Sequence, residues 1–295
     1  MAHVSPAVIR RGYADTSRGQ VHYAEVIPEA PASPTTPASP TTPASPMAPA
    51  SPMASASPVP VVLLHQTPRS WDEYREVLPL LGRTRRAIAM DTIGFGASAP
   101  IADHGIETYA SVLAEFIQAL SLPKVALVGH HTGGLIAIET AARAPGLIAA
   151  LVLSSTPNYD ADGRARAAAR PPVDQVTEQP DGSHLAELWR KRQSFYPPGR
   201  PDLLTRLVRD ALTLGSDAEA GHEACRRYRL EDRAGLVQCP VLCLGASADP
   251  FAFPDLKPLA ARFPQARVAV IEGGMVPLME QRPAQVAEVI SEFLP

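Results

Sequence analysis

Nowhere does the sequence carry an apolar run approaching the ~20 residues that cross a bilayer, so no membrane partner is expected. The opening residues Met1-Ala2-His3-Val4-Ser5-Pro6 lack the charged-then-apolar plan of a secretory signal. Cysteine is scarce. Three in 295 residues is an odd number, which argues against a disulfide framework and suits the cytoplasm. Cys239 and Cys243 share a face of one apolar stretch with no further ligand types beside them, so they read as buried thiols and no metal is expected. A basic surplus is also missing: 27 Lys and Arg stand against 30 Asp and Glu, a net charge of −3. Without a basic stripe, nucleic acid is excluded as a partner.

Proline is abundant, with 32 residues, and many fall in four consecutive hexads from Pro31 to Ala54. Proline at every third position removes backbone donors and bars both helix and central strand. Residues 28–58 are therefore expected to be an extended loop outside the packed fold. The remaining chain is ample for one large core.

Before the repeat, residues 8–14 and 20–27 are strand-like around a polar turn, which predicts a hairpin. After it, apolar strand runs at 59–65, 87–91, 125–130, 147–153, 240–245 and 267–271 alternate with helical spacing over Trp71–Leu81, Ile106–Leu120 and Pro283–Leu294. Such alternation predicts an α/β fold with a mostly parallel sheet. From about 156 to 236 the strand runs vanish, and short helices are expected at 184–195, 201–213 and 217–229. The expected organisation is thus a hairpin (1–27), the proline-rich loop (28–58), a core (59–155), a helical cap (156–236) and the rest of the core (237–295).

The segment Val125-Ala126-Leu127-Val128-Gly129-His130-His131-Thr132-Gly133-Gly134 reads as strand, tight turn and helix, with one large residue among small ones. Taken with Leu63-Leu64-His65, Asp91-Thr92-Ile93-Gly94-Phe95-Gly96-Ala97-Ser98, Asp249 and Gly273-Gly274-Met275-Val276-Pro277-Leu278-Met279-Glu280, it resembles the capped branch of the α/β-hydrolase superfamily. The resemblance covers residues 8–27 and 59–295. It implies a nucleophile elbow at residue 131, an oxyanion-hole strand ending at His65, an acid at Asp249 and a general base at position 275.

Three departures fall on the chemistry. The elbow residue is His131, the base position is Met275, and the pair expected at the oxyanion hole reads His65-Gln66. A serine attacks only when an imidazole takes its proton and a carboxylate orients that imidazole. Met275 can do neither part, so the covalent route of the superfamily cannot run here. A neutral imidazole at the elbow can act as base, donor or nucleophile. His131 is expected to lean toward Asp249 and form a dyad. Backbone donors at Thr132 and Gln66 would stabilise an oxyanion, with His65 a candidate substrate contact and His130 a supporting residue beneath the elbow.

Other candidates are weaker. Asp91 is expected to brace its glycine-rich turn, His22 to be half-exposed, and Arg69 to form a surface salt bridge. His104, His184 and His222 are expected in exposed loop or cap positions, from which a cap histidine could reach the cleft.

Three functions remain open. One is a cofactor-free enzyme doing His-based acid/base chemistry of lyase, isomerase or decarboxylase type on a small, partly apolar carbonyl compound. A second is hydrolysis of an ester or lactone through His131 or a His-activated water. The third is a catalytically inactive binding member.

Overall fold

The run Val61-Val62-Leu63-Leu64 is buried at every position, as a strand covered on both faces must be. The computed structural model describes residues 7–28 and 58–295, so nearly all of the proline-rich repeat lies outside the described residues. In chain order the elements are β1 (Arg10–Thr16), β2 (Gly19–Val26), β3 (Val61–Leu64), α1 (Val77–Leu81), β4 (Ala87–Met90), α2 (Ile106–Ala119), β5 (Val125–His130), α3 (Thr132–Arg143) and β6 (Ile148–Ser154). Then follow α4 (Ala161–Ala168), α5 (Ser183–Arg192), α6 (Pro201–Leu214), α7 (Ala220–Arg227), β7 (Val241–Ala246), α8 (Leu256–Ala260), β8 (Arg267–Ile271), α9 (Leu278–Gln281) and α10 (Pro283–Phe293).

The eight strands form one sheet in the order β1-β2-β4-β3-β5-β6-β7-β8. β1 and β2 pair antiparallel, β2 joins β4 antiparallel, and every later pairing is parallel. Side chains alternate between the two faces. Val62, Leu64, Ile88, Leu127 and Leu151 pack with α2 and α3, whereas Val61, Leu63, Ala89, Val128 and Val152 pack with α1 and α10. α2 is helical because Ile106, Tyr109, Ala110, Leu113, Phe116 and Ile117 fall on one buried stripe. Among the described residues, no helix is long and apolar enough to cross a membrane.

The sequence pattern needs correction in three places. Trp71–Leu81 is not one helix but a 3₁₀ turn over Trp71–Tyr74 followed by α1. Pro79 lies inside the expected helix, where its ring would strike the carbonyl four residues back; the break at Arg75 and Glu76 places it in the first turn of α1 instead. Helix α4 was not expected, because only Gly163 and Ala167 are buried on it and its apolar signal is weak. Asp160 starts it by accepting the Gly163 amide at 2.7 Å. Cys239 lies ahead of the strand that holds Cys243.

Between β6 and β7, helices α4 to α7 lie over the carboxyl ends of the strands, with a small apolar cluster of their own around Leu203, Leu204 and Leu207. Arg69 ties this layer to the core. It is completely buried, not a surface residue. It donates through Nη1 and Nη2 to Glu280 at 2.8 and 3.0 Å, and through Nε to Asp210 on α6 at 2.9 Å. A charge this deep is tolerated only because two carboxylates face it. His22 is likewise buried, with Nδ1 2.8 Å from Asp91 Oδ2. Asp91 also accepts the amides of Trp71 at 2.6 Å and Ala97 at 2.9 Å, which braces the turn as expected. A Cβ on Gly96, at φ 57°, would overlap the Asp91 carboxylate.

Candidate active site

β5 delivers His130 at its last position, and α3 begins at Thr132. Between them His131 holds φ 46° and ψ −112°, a left-handed-region backbone that an L residue adopts only when its surroundings enforce it. Glycines make the enforcement possible. A Cβ on Gly129 would overlap the Gly133 carbonyl, and one on Gly133 would overlap that of Leu64. The turn is thus packed backbone to backbone.

At this turn His131 reaches across the strand ends. Its Nε2 lies 2.9 Å from Oδ2 of Asp249, a fully buried carboxylate in the turn after β7. The approach is close without the alignment of a full hydrogen bond. Asp249 is braced on its other oxygen, which accepts the amides of Phe251 at 2.9 Å and Ala252 at 3.2 Å. Burial acts to raise the Asp249 pKa; the charge of His131 beside it, with the Phe251 amide, outweighs it and holds the carboxyl down at about 2.

Met275 sits in the turn after β8, half-buried, with its amide donating to Gln281 Oε1 at 2.7 Å. Its neighbour Val276 lines the cavity beside His131. His130 is completely buried, and burial pushes its pKa below the usual histidine value. Its Nε2 donates to the Val276 carbonyl at 3.0 Å and Nδ1 meets Ser154 Oγ at 3.1 Å. The ring is pinned under the elbow, 4.7 Å from the His131 ring.

The strand-end residues divide differently from expectation. His65 does not line the cavity: Nδ1 bonds the Gln66 carbonyl at 2.8 Å and Nε2 accepts the Thr92 amide at 2.9 Å. Gln66 does line it, yet its backbone amide donates to Glu73 Oε2 at 2.8 Å and its side chain to Oε1 at 2.6 Å. The oxyanion donor expected at Gln66 is therefore engaged by a buried carboxylate. The next amide, that of Thr67, has no acceptor among the described residues, and neither does that of Thr132 at the first turn of α3. Both residues line the cavity. Sequence reasoning places the free amide one residue early, at Gln66, because nothing in sequence shows that Glu73 turns back onto it.

The cavity has a volume of about 100 Å³. Its core wall carries His131, Thr67, Thr132 and Val276; its cap wall carries Tyr159, Arg192 and His222. Of the three outlying histidines, His222 is thus the one that reaches the cleft. His184 is half-exposed and accepts the Gln179 amide at 3.1 Å, and His104 bonds the Tyr109 hydroxyl at 2.8 Å. Ligand atoms of Asp174, Glu219 and His222 lie within 4.8 Å of one another, the spacing a metal would need. However, Arg192 places its guanidinium on both oxygens of Asp174, and Glu219 accepts the Val173 and Asp174 amides. Asp174 is thus engaged by the protein through both oxygens and Glu219 through Oε1, while Glu219 Oε2 has no hydrogen-bond partner among the described residues.

Two buried carboxylates here make stability depend on acid. Asp174, like Asp249, is held at about 2, with burial opposed by Arg192 and His222. A carboxyl whose folded pKa is depressed stabilises the fold above its unfolded value near 4, and that contribution is lost as pH falls toward 2. Each group is expected to contribute roughly 2 kcal/mol above that window. Urea midpoints measured between pH 6 and pH 2.5 are expected to fall steeply below pH 4, and less steeply for Asp249→Asn.

Comparison with known proteins places these features. A family model described as alpha/beta hydrolase fold matches residues 59–280. A 2-hydroxy-6-oxo-2,4-heptadienoate hydrolase from Pseudomonas putida is 40% identical over 99 residues, which cover 32% of this chain and 36% of that protein. A soluble epoxide hydrolase from Corynebacterium sp. is 39% identical over 79 residues, 26% of this chain and 28% of that one. The matched segment thus spans about a third of these relatives' length. Among solved structures, bromoperoxidase from Bacillus anthracis superposes with a TM-score of 0.74 at 17% identity, covering 96% of this chain and 99% of that one. An enol-lactonase from Burkholderia xenovorans gives 0.70 at 17% identity, with 96% and 99% covered. At such identities the likeness is one of fold.

Proposed function

The chain belongs to the alpha/beta hydrolase fold family, and on that footing we propose that it is an enzyme in which His131, oriented by Asp249, acts as the general base on a small, partly apolar carbonyl compound. The observation that carries this reading is the 2.9 Å approach of His131 Nε2 to a carboxylate buried beneath it. With the Nε2 proton turned toward Asp249, the lone pair falls on Nδ1. That nitrogen has no partner among the described residues, and the ring lines the cavity. The dyad thus has its ring reversed relative to a triad, in which Nδ1 faces the acid and Nε2 the substrate. Met275 leaves no second ring to compete for Asp249.

Nδ1 removes a proton from the carbon next to the carbonyl. The electron pair moves into a carbon–carbon double bond and the oxygen becomes an enolate. The amides of Thr67 and Thr132 supply the donors for that oxygen. No covalent bond to the protein is required, which suits a site without serine, cysteine or aspartate at the elbow. Reaction types within reach are isomerisation and carbon–carbon cleavage.

Hydrolysis is the second reading, favoured by the relatives named as hydrolases. Nδ1 would then take its proton from water. Two probes separate the readings. Proton abstraction predicts that the protein speeds exchange of the α-protons of cyclohex-3-enone into D2O, followed by NMR. Hydrolysis predicts turnover of 4-nitrophenyl acetate. In either case His131→Ala is expected to remove about 100-fold or more of the rate. Wild-type protein inactive on both probes, or His131→Ala as active as wild type, would leave a binding role as the better account.

A further inference from the structure

A second imidazole–carboxylate pair faces the same cavity from the cap. His222 lies on α7, and its Nε2 is 2.7 Å from Oδ2 of Asp174. Asp174 is buried, and Arg192 holds both of its oxygens. Glu219 accepts the amides of Val173 and Asp174 and so fixes the loop that presents the carboxylate. The ring is therefore oriented through one nitrogen, as the His131 ring is by Asp249. Its Nδ1 has no partner among the described residues, and the side chain lines the cavity.

The helix that carries His222 is pressed onto the side chains of Thr67 and Thr132, the two residues with free amides. Gly221, immediately before it, lies so close to Thr67 that a Cβ would overlap the threonine side chain. One turn on, the Cys225 thiol donates to Thr132 Oγ1 at 3.4 Å. α7 thus touches both Thr67 and Thr132, and His222 enters the cavity beside the place where an enolate oxygen would be held. A cap held only by ion pairs has no need for a glycine at this contact or for an imidazole on the cavity wall.

We propose that His222 is a second catalytic residue, a general acid that returns a proton to the substrate from the cap side while His131 removes one from the core side. The inference rests on the base reading of His131. The balance is closed. His131 Nδ1 takes the α-proton, and the electron pair forms the carbon–carbon double bond of the enolate. Protonated His222 then gives its Nδ1 proton to the far carbon of the extended enolate, and the carbonyl re-forms. His131 finally loses its proton to water and His222 regains one, so no other reactant is consumed. Such a pair fits substrates in which an unsaturated carbonyl compound moves its double bond into conjugation.

Cyclohex-3-enone tests both halves in one tube, since exchange at C2 reports abstraction and formation of cyclohex-2-enone reports delivery. In His222→Gln, which keeps a donor for Asp174 but cannot relay a proton, conversion is expected to fall about 100-fold. Exchange at C2 is expected to fall far less, so the ratio of exchange to conversion rises about tenfold or more. His222→Phe, which keeps the ring volume, is expected to do the same, and it carries the test if the glutamine variant does not unfold cooperatively in urea. Exchange and conversion falling in step, or neither changing, overturns the proposal while the base role of His131 stands. A wild-type protein without His131-dependent exchange removes the base reading, and this proposal with it.

Discussion

Replacing Arg69 by alanine is expected to destabilise the protein by about 3–5 kcal/mol, the usual effect of stripping one partner from a buried ion pair. The guanidinium is completely buried and binds Glu280 through two nitrogens and Asp210 through the third. Without it, two carboxylates face each other in a low-dielectric interior. Arg206 remains 3.1 Å from Glu280 Oε1 and Arg209 still donates to Asp210 Oδ1 at 2.7 and 3.0 Å, so neither carboxylate is left bare. The direction of rescue is the sharper test. Adding Asp210→Asn and Glu280→Gln to Arg69→Ala removes both carboxylate charges that have lost a partner, and the triple variant is expected to regain part of the loss. Urea unfolding followed by fluorescence measures this. A triple variant less stable than Arg69→Ala would show that packing, not charge, sets the penalty. The contact joins the turn after β3, helix α9 and helix α6, so the variant is also expected to expose helices α4 to α7 to protease before the core.

Asp249→Asn is expected to lower the His131-dependent rate by about 100-fold, as much as loss of the base itself, with little change in fold. An asparagine fits the same turn, and its side-chain oxygen can still accept the Phe251 and Ala252 amides. Its amide nitrogen then faces His131 Nε2 as a donor. The stable tautomer becomes the one with the proton on Nδ1, and the nitrogen facing the cavity turns from base into donor. The prediction therefore differs from that for a missing support. KM is expected to move little while kcat collapses, as follows when the ring stays in place in the wrong tautomer. ¹⁵N chemical shifts of the His131 ring read the tautomer directly. A shift pattern unchanged from wild type would break the link between Asp249 and the base.

The two variants touch landmarks that sequence pattern reads with unequal success. Asp249 and His131 are visible because they sit at fixed points of a recurrent frame: the end of a late strand and the strand–helix turn with its glycines. Glu280 is visible in the same way, yet its role is not, because the residue that answers it lies 211 positions away. Arg69 follows a polar run after a strand, and in sequence such an arginine is indistinguishable from a solvated one. His222 and Asp174 are 48 positions apart in a region with no strand to set the register between them.

The order of the strands and the strand–turn–helix around His131 were determined by the sequence alone. Each is local, set by apolar periodicity, turn residues and the identity of one side chain at one position. Which groups meet was decided only by the tertiary structure. Folding put His131 against Asp249, pointed Glu73 at the Gln66 amide and left that of Thr67 free, and pressed α7 onto Thr67 and Thr132 until His222 entered the cavity. Contacts of this kind depend on distances of a few tenths of an ångström between segments far apart in the chain. Hydrogen bonds are short-ranged and directional, and no local pattern in the sequence reports where two such segments will close on one another.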